Sequence, residues 1–518
     1  MSDSVAPSSV TELLDSFAHA DPELLDEEYQ RLVRAVWVDG TLTDLALPAV
    51  PDLVAGLARL DDPRRGHVLV LLALLAEAEY PALDGPVATA VRGGLDTYLD
   101  LLAGVTRDEP LALALLYLLS HFPDDRDRIL GAAGRLALTV SDQSRLERCL
   151  SKLDLYDVVL GRAWPSPHDW ALSDAEHEFD RGWVRTLTPE QITATWDADN
   201  WSMWAYSGAR AYWAQTHGMP TPVPDTSPFR DTVQVEPTDP GIGVFARHAD
   251  VFRCPTCQGT LDVGERGVRC ADCGTAYPVT FGILDLSRRT LSGAGVSEDP
   301  DVVKEDVLQL AAAMRSIGYH YETALRPAFL QVMGTNWSGL VTPSDEDRYI
   351  TEHASPAGGP VLDLAAGAGR WTAVLSKATG AERVIALDLN DAMLYWLRGR
   401  LPEVTTVRAS ALDLPFADAS LDAVSCWNAL QAIPDAAGAI AEAARVLKPG
   451  GTLTLMTFRW ADDPVYRYFQ AGHRFPARPE GFLLFDAEDI RSWVAAAGLK
   501  IREEHGPGTF VFLTAEKG

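Results

Sequence analysis

The chain has 518 residues, 47% hydrophobic and 23% charged, a usage that excludes a disordered, collagen-like or disulfide-dense protein. Lys and Arg number 44 against 73 Asp and Glu, a net charge of −29. Phosphate affinity rests on cationic side chains, so this balance argues against nucleic acid as a partner. The longest apolar runs, Val68–Ala76 and Leu111–Leu119, fall well short of the roughly 20 residues of a membrane span. Asp3 and Glu12 near the start, with no apolar run behind a basic segment, do not read as a secretory signal. The expectation is a cytoplasmic chain with no membrane partner.

Residues 1–160 read as helical. Apolar residues recur at i, i+3, i+4 over Glu12–Phe17, Pro22–Val38, Ala49–Leu60, His67–Glu79, Pro86–Ala103, Pro110–Phe122 and Arg126–Leu138, with Pro, Gly and Asp between them. Short helices on short loops suggest an antiparallel solenoid. The succession Leu47-Pro-Ala-Val-Pro-Asp-Leu and then Val68–Ala76 resembles degenerate HEAT-type repeats; an irregular bundle is the alternative. Residues 161–220 are tryptophan-rich: Trp164, Trp170, Trp183, Trp196, Trp201, Trp204 and Trp213 are half of the chain's 14. Segments from Glu190 and over Met203–Trp213 read as helices. These rings serve either as packing anchors or as an aromatic wall for a ligand or peptide. Residues 221–250, rich in Pro, Asp and Thr, read as a linker. A second linker from Ser292 precedes a helix over Val302–Ile317.

Between the linkers stand Cys254-Pro-Thr-Cys257 and Cys270-Ala-Asp-Cys273, spaced C-x2-C-x12-C-x2-C. Two such turns can aim four thiolates at one Zn²⁺, a closed and therefore structural site. Gly259 and Gly274 are expected to supply the left-handed residues of the two knuckles. The segment between them reads as a hairpin turning near Gly264–Gly267. Arginines and acids nearly balance over 251–290, so this ribbon shows no basic stripe.

From 300 to 518 strands and helices alternate. Apolar runs at Val361, Val384, Val404, Ala423 and Thr452 are expected strands; Trp371–Ala378, Ala392–Leu401 and Ala436–Val446 are expected helices. That alternation predicts a parallel, doubly wound sheet whose ligand sits at the carboxyl ends of the strands. Gly367 and Gly369 permit close backbone approach, and Asp388 ends the second strand, where a carboxylate can accept ribose hydroxyls. A nicotinamide fingerprint would need glycine at 372, which is Thr.

The ordered motifs Val361-Leu-Asp-Leu-Ala-Ala-Gly-Ala-Gly-Arg, Ala386-Leu-Asp-Leu-Asn-Asp, Leu412-Asp-Leu-Pro-Phe and Arg445-Val-Leu-Lys-Pro-Gly-Gly closely resemble class I S-adenosylmethionine-dependent methyltransferases of the UbiE-like branch. The ribbon, ending in Tyr277-Pro-Val-Thr-Phe-Gly-Ile-Leu-Asp-Leu, is similar to the small zinc-ribbon activator of tRNA and protein methyltransferases. The resemblance covers about 250–518. It implies that Asp363, Ala365, Gly367 and Gly369 face the methionine moiety, that Asp388 and Leu389 hold the ribose and flank the adenine, that Ser410, Ala411 and Leu412 edge the adenine, and that Asn428, Ala429 and Leu430 lie beside the sulfonium. Two positions depart from the family pattern: its first glycine is Ala365, and its acid at the adenine amine is Ser410. A general base is needed only for a protonated nucleophile; His320 is the first candidate and His473, in an insertion before the last helix, the second. Tyr319 and Tyr321 are expected to shape the pocket.

The whole reads as an all-α N-terminal half, a small zinc ribbon and a C-terminal Rossmann-like methyltransferase sheet. The expected reaction is methylation of a specialised metabolite or peptide, with the helical half as a docking or homodimerisation module. RNA base methylation, and a cofactor-binding scaffold or cyclase, are the other readings.

Overall fold

The computed structural model describes residues 9–82, 84–157, 174–222, 240–264, 267–287, 321–473 and 484–518. Tyr319, His320, Trp164, Trp170, the expected helix 302–317, most of the first linker and the whole of the second lie outside them. The described chain forms two compact units. One takes residues 1–171, 177–223 and 461–481; the other takes 172–176, 224–460 and 482–518.

The first unit is helical: Val10–His19, Leu25–Val36, Ala46–Gly56, Asp62–Glu77, Pro86–Arg92, Leu95–Ala103, Pro110–Leu119, Arg126–Ala133, Val140–Cys149, Asp174–Val184 and Pro189–His217. Local chemistry sets their ends. Ser9 and Glu12 form a reciprocal capping box, as do Thr188 and Gln191, each satisfying two orphan amides. Gly93-Gly94 divides the expected helix Pro86–Ala103 into two. Asp62–Glu77 and Pro110–Leu119 are buried on nearly every side, which is why they carry apolar residues all round instead of one stripe. Pro189–His217 is one helix of 29 residues ending at Gly218, φ 64°, where two were expected. The sequence reading also missed Val140–Cys149 and a small hairpin, β1 (Trp37–Val38) with β2 (Thr41–Leu42). Its turn is Asp39-Gly40, φ 46° and 84°, the pair such tight hairpins favour.

The helix Pro464–Gly472 lies in sequence between strands of the second unit yet belongs to the first. Val465 and Phe469 on it are fully buried. It packs along Pro189–His217, where Gly208 admits the Phe469 ring; a Cβ there would stand 2.2 Å from it.

In the second unit the ribbon strands β3 (Leu261–Gly264), β4 (Gly267–Cys270) and β5 (Ala276–Tyr277) make a three-stranded antiparallel sheet. Gly264 pairs with Gly267, so the hairpin register is as expected; its tip, 265–266, lies outside the described residues. The next strands, β6 (Val279–Thr280) and β7 (Ile283–Asp285), leave the ribbon and join the large sheet. That sheet continues with β8 (Val361–Leu364), β9 (Val384–Asp388), β10 (Thr405–Arg408), β11 (Leu421–Trp427), β12 (Leu447–Phe458), β13 (Leu499–His505) and β14 (Phe510–Lys517). Its order is β13-β14-β12-β11-β8-β9-β10-β7-β6. From β7 to β12 every pair is parallel; β14 and β13 return antiparallel. Chain order reverses beside β8, between β9 on one side and β11 on the other, which opens a crevice at the strands' carboxyl ends.

The ribbon is thus built into the sheet and is not a free-standing module. β7 hydrogen-bonds to β10, Phe252 stacks on Phe416 at 5.7 Å, and Arg253 N–H donates to Pro415 O at 2.9 Å. The last part of the expected linker is anchored too: Val244 and Phe245 are buried, and Thr405 Oγ1 donates to Val244 O.

Candidate active site and four-cysteine cluster

The crevice begins at the end of β8. Ala365, Gly367 and Gly369 all take left-handed φ, 58°, 53° and 87°. Gly367 has open space where a Cβ would stand, whereas one on Gly369 would come within 2.8 Å of the Leu397 side chain. The first glycine therefore faces the crevice and the second faces packing. Ala365 holds a conformation that costs an L-residue about 1 kcal/mol or more.

Asp388 ends β9 and locks this loop from the neighbouring strand. Gly367 N–H donates to its Oδ2 at 2.8 Å, and Asn390 N–H donates to its Oδ1 at 2.9 Å. Burial pushes its pKa up, while these amides pull it down. Leu389 and Leu412 are 44% and 39% exposed, so this rim of the crevice carries two uncovered apolar side chains. Ser410 Oγ accepts from Leu412 N–H at 3.2 Å, which turns the hydroxyl into its own turn.

Beneath the loop, Asp363 is buried and accepts from Thr372 Oγ1 at 2.5 Å. Burial raises its pKa to about 7, with the hydroxyl working against the shift. At the end of β11, Asn428 has φ 54°. Its amide donates to Tyr321 Oη at 3.3 Å, and its carbonyl accepts from Gln431 at 3.0 Å. Gln431 in turn accepts from Thr457 Oγ1 of β12. Desolvation raises the Tyr321 pKa, so the phenol stays protonated at neutral pH. Next to it, buried Glu322 pairs with Arg400, which also donates to Ala368 O. This pair ties the segment starting at Tyr321 to the glycine loop.

Sequence reasoning did not find Gln431, Thr457 or Glu346; Glu322 and Arg326 stood in it only within the run Tyr321-Glu…Arg326-Pro that carries the family resemblance, with no role assigned. Arg326 and Glu346 form a buried ion pair; Trp427 Nε1 donates to Glu346 at 3.0 Å, and the Arg326 guanidinium lies 4.6 Å from the Trp371 ring centroid. Nothing in the local sequence sets Glu346, Gln431 or Thr457 apart.

Of the two candidate bases, His320 lies outside the described residues. His473 lies just past the helix Pro464–Gly472, in the helical unit. It is 1% exposed, and desolvation lowers its pKa to about 3.

The four cysteine sulfurs all lie within 4.8 Å of one another, with Cys254–Cys273 at 3.6 Å and Cys257–Cys270 at 3.4 Å. A zinc with Zn–S bonds of about 2.3 Å needs tetrahedron edges near ~3.8 Å, so the donor set fits. Cys273 N–H lies 3.5 Å from Cys270 Sγ, and the Tyr277 hydroxyl lies 2.9 Å from Cys254 Sγ. The expected left-handed glycines need one correction. Gly274 takes φ 74°, but in the first knuckle the residue is Gln258, at 62°. The turn requires the residue directly after the second cysteine. Gly259 is small for another reason, since a Cβ on it would strike Asp272.

Comparison with known proteins agrees with this geometry. The family described as "Methyltransferase domain" matches residues 361–451. The chain is an S-adenosylmethionine-dependent methyltransferase. A chloroplastic methyltransferase of Arabidopsis thaliana, itself uncharacterized, is 28% identical over 52% of this methyltransferase and 78% of its own length. The demethylmenaquinone methyltransferase of Corynebacterium glutamicum is 37% identical over 27% of this chain and 64% of its own. Among solved structures, geranyl diphosphate C-methyltransferase of Streptomyces coelicolor matches at 15% identity and a TM-score of 0.28, covering 34% of this chain and 77% of that one.

Proposed function

We propose that this methyltransferase acts on a small-molecule acceptor at the crevice between β8 and β11. The observation that carries the reading is Asp388: it is locked to Gly367 from the adjoining strand, with carboxylate capacity left for two ribose hydroxyls. Asp363, Ala365, Gly367 and Gly369 hold the methionine end, Leu389, Ala411 and Leu412 enclose the adenine, and Ser410 reaches it only through its turn. S-adenosylmethionine supplies a methyl already activated on sulfur. The protein's part is to align the acceptor and exclude water. Asn428, fixed by Gln431 and Tyr321, shapes the acceptor end, and the protonated Tyr321 phenol donates a hydrogen bond there. A ubiquinone and menaquinone biosynthesis C-methyltransferase of Marinomonas, 32% identical over 30% of this chain, favours carbon as the methylated atom. The net charge of −29 disfavours RNA. We further propose Zn²⁺ on Cys254, Cys257, Cys270 and Cys273, holding the ribbon that edges the sheet.

Asp388→Ala should weaken cofactor binding by about 3 kcal/mol or more, roughly a hundredfold, since charged hydrogen bonds to both hydroxyls are lost. Calorimetry measures the binding, and release of S-adenosylhomocysteine with phenolic, enolic and amine acceptors measures the turnover. Undiminished affinity would remove Asp388 from the site. Cofactor binding without product on any acceptor would favour a scaffold.

A further inference from the structure

The helical unit contains a cavity of about 40 Å³ between Pro110–Leu119, Val140–Cys149 and Pro189–His217, partly open to solvent. One wall is apolar, with Leu113, Leu116 and Leu146; the other carries Asp142, Arg145 and Arg210. Two guanidinium groups share one carboxylate there. Arg145 reaches Asp142 at 3.3 Å, and Arg210 pairs with the same oxygen. The lining therefore bears one uncompensated positive charge. Arg145 is 7% exposed, and its Nε–H has no hydrogen-bond partner among the described residues.

Of the neighbouring acids, Asp108 acts on Arg210 through space but is paired with Arg107. Asp199 is engaged by Arg148. Glu77 accepts from Tyr117 and Tyr468 and contacts His121, away from the lining. Burial raises the Cys149 thiol to about 12, so no thiolate forms beside the arginines. A buried, unpaired N–H on a cation is costly, and a planar guanidinium matches a carboxylate in shape as well as charge.

We propose that this cavity binds a carboxylate, its charged end at Arg145 and Arg210 and its alkyl part on the leucine wall. At about 10–15 Å³ for each water-sized site, the volume admits roughly three or four heavy atoms. That suits the head of a short acid such as propionate, its last carbon in the opening, or of a longer acid whose tail leaves through it. The site lies in the helical unit and does not depend on the methyl-transfer reading.

Calorimetry on the full chain tests this with sodium propionate, propionamide and hexanoate. Propionate should bind at least tenfold more tightly than the neutral amide. Arg145→Gln should cost at least tenfold in propionate affinity. Leu116→Phe, which fills the cavity without touching a charge, should abolish binding with the melting temperature held, and it serves also if Arg145→Gln fails to fold. Hexanoate binding more tightly than propionate would identify the head of a longer acid; equal or weaker binding would identify a free short acid. Equal affinity for acid and amide, no binding of either acid, or full affinity in Leu116→Phe would overturn the proposal.

Discussion

The two units place their polar groups differently. The sheet unit keeps apolar strands at its centre and gathers Asp363, Asp388 and Asn428 on β8, at the end of β9 and just past β11, so these polar side chains line the candidate crevice. The helical unit buries charge in its interior. Arg148 pairs with Asp199 under the Trp196 ring, Glu77 collects Tyr117, Tyr468 and His121, and Asp463 accepts from Gln30 and Tyr212. Buried polar contacts of this kind add little net stability but require particular partners. Here several of them fix the helix Pro464–Gly472 in its place. Both units bury ion pairs, Arg326–Glu346 in the sheet unit and Arg148–Asp199 in the helical one, but the sheet unit also gathers polar groups where its strands end.

The largest expected effect breaks the sheet unit from its edge. Cys254→Ser should release the metal and with it ribbon stability coupled to about 10 kcal/mol of binding. Because β7 pairs with β10, the loss should reach the sheet, seen as a zinc content near zero by elemental analysis and an early unfolding transition. Bound zinc undiminished in the variant would refute the assignment. Phe469→Ala tests the helical unit and should lower stability by about 3–5 kcal/mol, measured by denaturant titration. A change below about 1 kcal/mol would mean that this helix is a passenger there.

These two expectations differ in how far the sequence carries them. The parallel strands were legible because buried strands read as short apolar runs stopped by glycine or aspartate, and each motif keeps its candidate residue at a strand end. β13 and β14 were not: charged Lys500, Arg502, Glu503 and Glu504 interrupt the first, and nothing local marks an antiparallel return. Glu346 and Gln431 act through partners 81 and 26 residues away, a pairing no spacing rule encodes. The membership of Pro464–Gly472 was hidden for the same reason, since an amphipathic helix shows that it packs but not against what. Pro189–His217 was read as two helices because residues on several of its faces are buried, which blurs the single apolar stripe.

Smaller effects sharpen the view of the crevice. A carboxyl whose folded pKa is raised to about 7 binds more protons folded than unfolded. Asp363 therefore favours the folded state most below about pH 4, and that contribution declines as pH rises toward 7. A cationic cofactor prefers the ionised form, so its affinity should rise between pH 6 and 8. Asp363→Asn should flatten that rise in calorimetric titrations; an unchanged slope would place the proton elsewhere. The smallest effect is at the loop. Ala365→Gly should relieve left-handed strain and gain about 0.5–1 kcal/mol in thermal unfolding, with cofactor affinity retained.

The insertion of residues 461–473 into the helical unit has a consequence for the chain's history and handling. A module fused to an enzyme by one linker can be cut off or exchanged at that linker. Here the chain enters the helical fold at its start, leaves it, and comes back after β12 to finish it. A break anywhere between residues 222 and 240 would divide the polypeptide but not the folded unit. The two fragments would be natural partners for complementation, each holding a piece the other needs.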